Sequence, residues 1–117
     1  MADDNVPESW IDYLSRLDVE RLELTNDEIL DAVENGLRLQ GMGEAVIEPR
    51  VHLEPGVANG HFNVLRGSLG GDIDVAGVKV VGDFVDNYKV GLPSELALLN
   101  LMDRRTGQPR AVIDRSE

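Results

Sequence analysis

Two basic residues set in apolar, strand-like runs are the best candidates for chemistry: Arg50 in VIEPRVHL and Lys79 in VAGVKVVG. A strand over Val75–Val81 puts Val78 and Val80 on one face and Gly77, Lys79 and Val81 on the other. A lysine between valines is costly in a core strand unless its ammonium has something to meet. The simplest reading is therefore an edge strand with Lys79 in water, which also discourages edge pairing. The alternative is functional. Arg50 and Lys79 on separate strands, converging on one pocket, would make a receptor for a carboxylate: the arginine fork grips both oxygens and the lysine adds a point charge. Spacing alone leaves both readings open, because two such cations can equally be unrelated surface charges.

Other chemistry finds little support. Gly41-Met42-Gly43 lacks the third glycine of a dinucleotide fingerprint, since Val46 stands there, and it follows a helical rather than a strand pattern. Gly67–Gly71 lacks the Lys-Ser/Thr of a phosphate loop and reads as a flexible hairpin loop. His52 and His61 lie near Asp72 and Asp74 in sequence but without metal-ligand spacing, so no metal site is expected. No serine sits in a nucleophile elbow.

The elements that must position the two cations fall into two groups. Residues 1–7 read as a loose tail, and Ser9–Leu14 as a short helix with Trp10, Tyr13 and Leu14 at i, i+3, i+4. Thr25-Asn26-Asp27-Glu28 is a capping box. It opens a helix with Ile29, Leu30, Val33 and Leu37 on one face, ended by Gly41 and Gly43. Gly36 inside it predicts a close packing contact. From residue 45 the period becomes alternating. Ile47, Pro49, Val51 and Leu53 are expected on one face, with Glu48, Arg50, His52 and Glu54 on the other. Further strands are expected at His61–Leu65, Ile73–Val81, Glu95–Met102 and Pro109–Ile113, with an excursion over Asp83–Gly91. The last two strands form a hairpin in which Gly107 supplies a positive φ. The class is α+β: N-terminal helices packed on a mixed, largely antiparallel sheet of about five strands. The division is an acidic N-terminal segment, 1–24, and a lobe over 25–117.

The 117 residues are one domain's worth, with 42% apolar residues and no cysteine, so neither a disulfide nor a thiolate metal site is available. The net charge of −11 is uneven: residues 1–35 carry 11 acids and two bases, and the rest 11 acids and nine bases. An acidic chain without a basic stripe is not expected to bind nucleic acid or anionic lipid. No run approaches the roughly 20 apolar residues of a membrane span. The start lacks a signal-peptide pattern. The expected location is cytoplasmic.

The run from Glu48 to Asp114 resembles the N-terminal part of the ornithine cyclodeaminase/mu-crystallin family. The resemblance rests on Pro49-Arg50-Val51, Gly77-Val78-Lys79-Val80-Val81, Asn87, Gly91-Leu92-Pro93 and the final LLNLMDRRTGQPRAVID, in that order. It implies a substrate-binding and dimerisation lobe of an NAD- or NADP-dependent enzyme acting on amino or imino acids: a cyclodeaminase, alanine dehydrogenase or ketimine reductase. It also implies a homodimer. Arg50 and Lys79 would then hold the substrate carboxylate, Lys79 as a catalytic residue, with Asn87 near the pocket. The family's Rossmann domain is expected to lie outside this chain. The chain alone is therefore expected to bind no cofactor and to be inactive. The alternative is a stand-alone carboxylate-binding or dimerisation module. One departure bears on the substrate. Cyclodeaminases carry a substrate-facing glutamate just before a Met-Pro-Ala run, whereas this chain has Asn63-Val64-Leu65 and then Arg66-Gly67-Ser68. The implied substrate is a small carboxylate with an acidic or neutral side chain, which Arg66 could meet, rather than ornithine.

Overall fold

Alternating apolar residues from Ala45 onward build five strands of a six-stranded sheet; the computed structural model describes Trp10–Ser116. The elements are β1 (Asp12–Leu14), α1 (Arg16–Arg21), α2 (Asn26–Gly41), β2 (Ala45–Leu53), β3 (Gly60–Leu69), β4 (Val75–Phe84), β5 (Glu95–Met102) and β6 (Pro109–Asp114). A single 3-10 turn over Asn87–Val90 lies between β4 and β5. The strand order is β1-β6-β5-β4-β3-β2, antiparallel except for the parallel β1–β6 pair. Each hairpin-joined strand lies beside its predecessor, as short connections require.

The two helices start for local reasons. Thr25 Oγ1 accepts from the Glu28 N–H at 3.1 Å, and the Glu28 carboxylate accepts from the Thr25 N–H at 3.3 Å, so the expected capping box is present. Ser15 and Asp18 form a second box at the start of α1, a helix absent from the sequence reading. Leu39, only 3% exposed, is the one buried side chain of helix α2. Leu39 packs on Gly71, where a Cβ would come within 2.5 Å of Leu39 Cδ2. Asn35 adds a hydrogen bond to Asp72 at 3.3 Å. Ile29, Leu30, Val33 and Leu37 remain exposed along the helix.

Several expectations are corrected. Trp10–Leu14 is no helix, because Asp12–Leu14 pairs with Ala111–Ile113 along the edge of β6. Ser9 and the tail at 1–7 lie outside the described residues. Gly67 and Ser68 belong to strand β3, not to a loop. Strand β4 is no edge: it is flanked by β3 and β5, so Lys79 sits in the middle of the sheet. Gly36 has nothing within 4 Å of where its Cβ would stand, so no close contact explains it. The sheet has six strands rather than five.

The single face expected for β2 is also corrected. Glu48 pairs with Arg66, but Val51 pairs with Val64, so β2 spends three steps where β3 spends two. Pro49 and Arg50 together oppose Leu65 in a β-bulge, a place that tolerates a residue without an N–H. The bulge turns the alternation over. Ile47, opposite Gly67, lies on the Lys79 face, whereas Val51 and Leu53, opposite Val64 and Phe62, lie on the far one.

The described residues build a single layer. Among them only Leu39 and Ala97 are buried apolar side chains. Leu96 and Leu98 are exposed on one face of β5 and Leu65 on the opposite face of the sheet. No described helix is long and apolar enough to cross a membrane.

Candidate functional site

The centre of the Lys79 face is dented because two glycines stand opposite each other. Gly67 of β3 pairs with Gly77 of β4, and Gly77 in turn opposes Leu101 of β5. Without side chains there, the sheet surface drops. Ile47, Leu65, Lys79, Leu99 and Leu101 stand around it and enclose an open concavity of about 340 Å³. Its walls are largely apolar, with Lys79, Arg66 and Ser68 the polar residues along them, the composition expected of a small-ligand site with a few convergent polar groups.

Lys79 opposes Leu65 on one side and Leu99 on the other, and is half-buried between them. Among the described residues it has no carboxylate in ion-pair contact. An ammonium in that setting has lost part of its hydration without gaining a counter-charge, an arrangement suited to an anionic ligand.

The bulge decides where Arg50 goes. Uninterrupted alternation from Ile47 would send Arg50 to the far face. The extra residue brings it opposite Leu65, on the face that carries Lys79. Lys79 is then two strands away, roughly 10 Å between backbones, a gap both long side chains can lean across. Arg50 is exposed and stands outside the walls of the dent.

Of the other two sequence candidates, Arg66 borders the same concavity as Lys79 and Asn87 does not. Arg66 pairs with Val78 and Glu48, so its side chain takes the far face although its strand borders the concavity. Asn87 lies beyond the end of β4, where its amide donates to the Pro93 carbonyl at 2.8 Å and the Leu92 N–H donates to its own carbonyl at 3.0 Å. Asn87 thus staples the β4–β5 loop, and Gly91, at φ 76°, turns the chain out of it.

Two polar residues on the Lys79 face were missed as site candidates. His52 pairs with Asn63 across β2 and β3, and its ring centroid lies 5.4 Å from that of His61, the two planes tilted by 44°. Asn63 Oδ1 is buried and has no hydrogen-bond partner among the described residues. Leaving such an acceptor unpaired costs on the order of 1–3 kcal/mol. The signal was present in HFNVL, where one asparagine interrupts an apolar run in phase with Leu65.

The end of the sheet beyond the dent is fixed by charge. Asp74, in the left-handed region at φ 50°, accepts from Arg104 and from Arg105, each at 2.5 Å. The Arg105 and then the Arg104 hydrogen bonds hold its carboxyl below the usual range. This cluster ties the β3–β4 turn to the β5–β6 turn, so Val75 and Leu101 keep their places at the rim.

Comparison with known proteins follows the same stretch of chain. The profile of the ornithine cyclodeaminase/mu-crystallin family matches residues 11–116. An alanine dehydrogenase of Archaeoglobus fulgidus is 37% identical over 101 residues, covering 86% of this chain and 30% of that protein. Among solved structures, an archaeal alanine dehydrogenase dimer with bound NAD superposes with a TM-score of 0.80 at 34% identity, over 91% of this chain and 31% of the other. The Δ1-pyrroline-2-carboxylate reductase of Thermococcus litoralis, in complex with NADH and L-proline, superposes with a TM-score of 0.81 at 34% identity, over 89% and 32%. The chain therefore spans about a third of the length of the relatives it matches.

Proposed function

This chain belongs to the ornithine cyclodeaminase/mu-crystallin family, and from that premise we propose that it is the substrate-binding and dimerisation part of an NAD(P)-dependent enzyme acting on amino or imino acids. The observation that carries this reading is the unpaired, half-buried Lys79 at the wall of an apolar dent, with Arg50 turned to the same face by the bulge. The two cations hold the α-carboxylate. Holding it fixes the α-carbon relative to a hydride donor or acceptor, which is catalysis by positioning. Their charge also favours electron-poor carbon in a bound imine. The small, apolar walls accept a short or cyclic aliphatic substrate, consistent with relatives named for alanine and for pyrroline-2-carboxylate.

The described residues do not fit a dinucleotide. Gly41-Met42-Gly43 ends a helix instead of opening one, and Gly67 lies inside a strand. The share of the reaction assigned to this chain is therefore substrate binding. The open single-layer sheet supports self-association as a homodimer, the state named for the archaeal alanine dehydrogenase.

The test is a substrate panel on the full-length enzyme (ornithine, alanine, iminosuccinate and cyclic ketimines), with Lys79→Met beside the wild type. A neutral or acidic substrate is expected to win. Lys79→Met is expected to weaken carboxylate binding about 10- to 100-fold, the worth of a hydrogen bond to a charged group. Ornithine as the best substrate, or an indifferent Lys79→Met, would falsify the reading.

A further inference from the structure

We propose that Asn59 is a site of spontaneous covalent modification: the backbone nitrogen of Gly60 attacks its side-chain amide, and the residue is converted to aspartate and isoaspartate. The site lies at the Gly60–Phe84 end of the β3–β4 pair, away from the dent at Gly67 and Gly77, and the proposal does not rest on the carboxylate reading of Arg50 and Lys79.

The chain carries two Asn-Gly dipeptides, Asn35-Gly36 and Asn59-Gly60, and the fold treats them differently. Asn35 is half-buried inside α2, where its amide donates to Asp72 at 3.3 Å and its Oδ1 accepts from Arg38. The Gly36 nitrogen belongs to the helical ladder. Asn59 is exposed, at the end of the bend that joins β2 to β3. Among the described residues, hydrogen bonds hold the side-chain amides of Asn35, Asn87 and Asn100, and none holds that of Asn59. The Gly60 N–H donates to the Ala58 carbonyl at 3.0 Å, a bond closed within the bend rather than across the sheet. Local opening of an exposed loop frees such a bond at little cost. Packing fixes the glycine itself: a Cβ on Gly60 would collide with the Phe84 ring and stand 2.7 Å from the Asp83 carbonyl oxygen. The residue that makes Asn59 reactive is thus one that the sheet needs.

Glycine favours the reaction because no side chain shields its nitrogen and its dihedrals adapt to a five-membered ring. A bond forms between Gly60 N and Asn59 Cγ, the Cγ–Nδ2 bond breaks, and ammonia leaves with the proton from Gly60 N. Water then opens the cyclic imide. Cleavage of its Cγ–N bond gives aspartate with the main chain unchanged. Cleavage at the former backbone carbonyl gives isoaspartate, with the main chain rerouted through Cγ. Either product places a new carboxylate at an open cavity of about 380 Å³ that Asn59 lines together with Glu54, His61 and Asp83. Isoaspartate also takes the Asn59 carbonyl, which accepts the Val85 N–H at 3.3 Å, out of the main chain.

The experiment holds the full chain in mildly alkaline buffer, folded and in concentrated urea, and follows its peptides by chromatography and mass spectrometry. In the folded chain the Asn59 peptide is expected to convert at least about tenfold faster than the Asn35 peptide, because Asn35 reacts only when α2 opens. In urea, where neither dipeptide is held, the two are expected to convert at similar rates. The products at position 59 should include isoaspartate, which only the cyclic imide supplies. Asn59→Gln, whose attack by Gly60 N needs a larger ring, should remove the acidic form that otherwise accumulates on isoelectric focusing of the folded chain. Four results would overturn the proposal: an Asn59 that stays an amide in the folded chain while it converts in urea, an Asn35 that keeps pace with it in the folded chain, aspartate formed without isoaspartate, or an Asn59→Gln chain that still accumulates the acidic form.

Discussion

Gly77 separates what this face does from how it folds. Its missing side chain opens the dent beside Lys79, yet a Cβ there would meet Leu101 Cδ2 at 3.5 Å, the Asn100 carbonyl at 3.6 Å and Leu99 Cδ1 at 3.8 Å, all ordinary contact distances. Glycine inside a strand also weakens it relative to a β-branched residue. Gly77→Val is therefore expected to fold with unchanged or higher thermal stability while filling the cavity and removing carboxylate binding by at least tenfold. A variant that folds and still binds at wild-type strength would place the ligand elsewhere. Asp103 behaves in the opposite way, structural and remote from the dent. Its Oδ1 accepts from the backbone N–H groups of Arg105 and Thr106 at 2.8 and 2.9 Å, and these hydrogen bonds, in that order, hold its carboxyl at about 2 instead of 3.8. A depressed folded-state value means that the stabilisation is complete above the unfolded value and is lost as pH falls through the folded one. Asp103→Ala should thus melt below wild type at neutral pH, with the gap narrowing as pH falls from 3.8 towards 2. A gap independent of pH would contradict the assignment. At this scale the sequence showed the cations but not their surroundings. Lys79 could be read as unusual from its valines alone; that Arg66 faces away from it depends on pairing with Val78, which no local pattern encodes.

Helix α2 was legible because its signals are local. The reciprocal Thr25–Glu28 bonds, the acidic first turn and the closing glycines all lie within the segment they shape. Thr25→Ala is expected to destabilise the chain by about 1 kcal/mol, seen as a lower thermal midpoint with loss of helical signal. An unchanged midpoint would mean that the helix contributes nothing to the cooperative unit. The same local logic located β5 and the β5–β6 hairpin. It failed at β2 and β1. In β2 the alternation around Pro49-Arg50 looks regular in one dimension, and the bulge exists only relative to β3. In β1 the spacing of Trp10, Tyr13 and Leu14 fits a helix, but the open edge of β6 recruits the segment as a strand. Tertiary pairing outweighs a few residues of helical propensity.

A sheet with both faces largely open governs the molecule as a whole. Exposed Leu96 and Leu98 on β5, Val46 and Ile47 on β2, and the uncovered stripe of α2 add up to far more apolar surface than scattered single residues would. The chain is expected to run as a dimer in light scattering, and its thermal midpoint to rise with protein concentration, since association is linked to folding. A monomer at high concentration would contradict this. The α+β class and the sheet were readable from the change of period near residue 45. The thinness of the core was not, because apolar content records how much can be buried and not against what. Finally, β1 imposes an order in time. Asp12 meets Ala111, 99 positions later, so β1 leaves the ribosome well before the strand it pairs with. At about 5–20 residues per second, Trp10–Leu14 waits several seconds or more after emerging. During that delay the meander from β2 to β6 can zip up hairpin by hairpin, and its β6 edge closes only when β1 comes back to it.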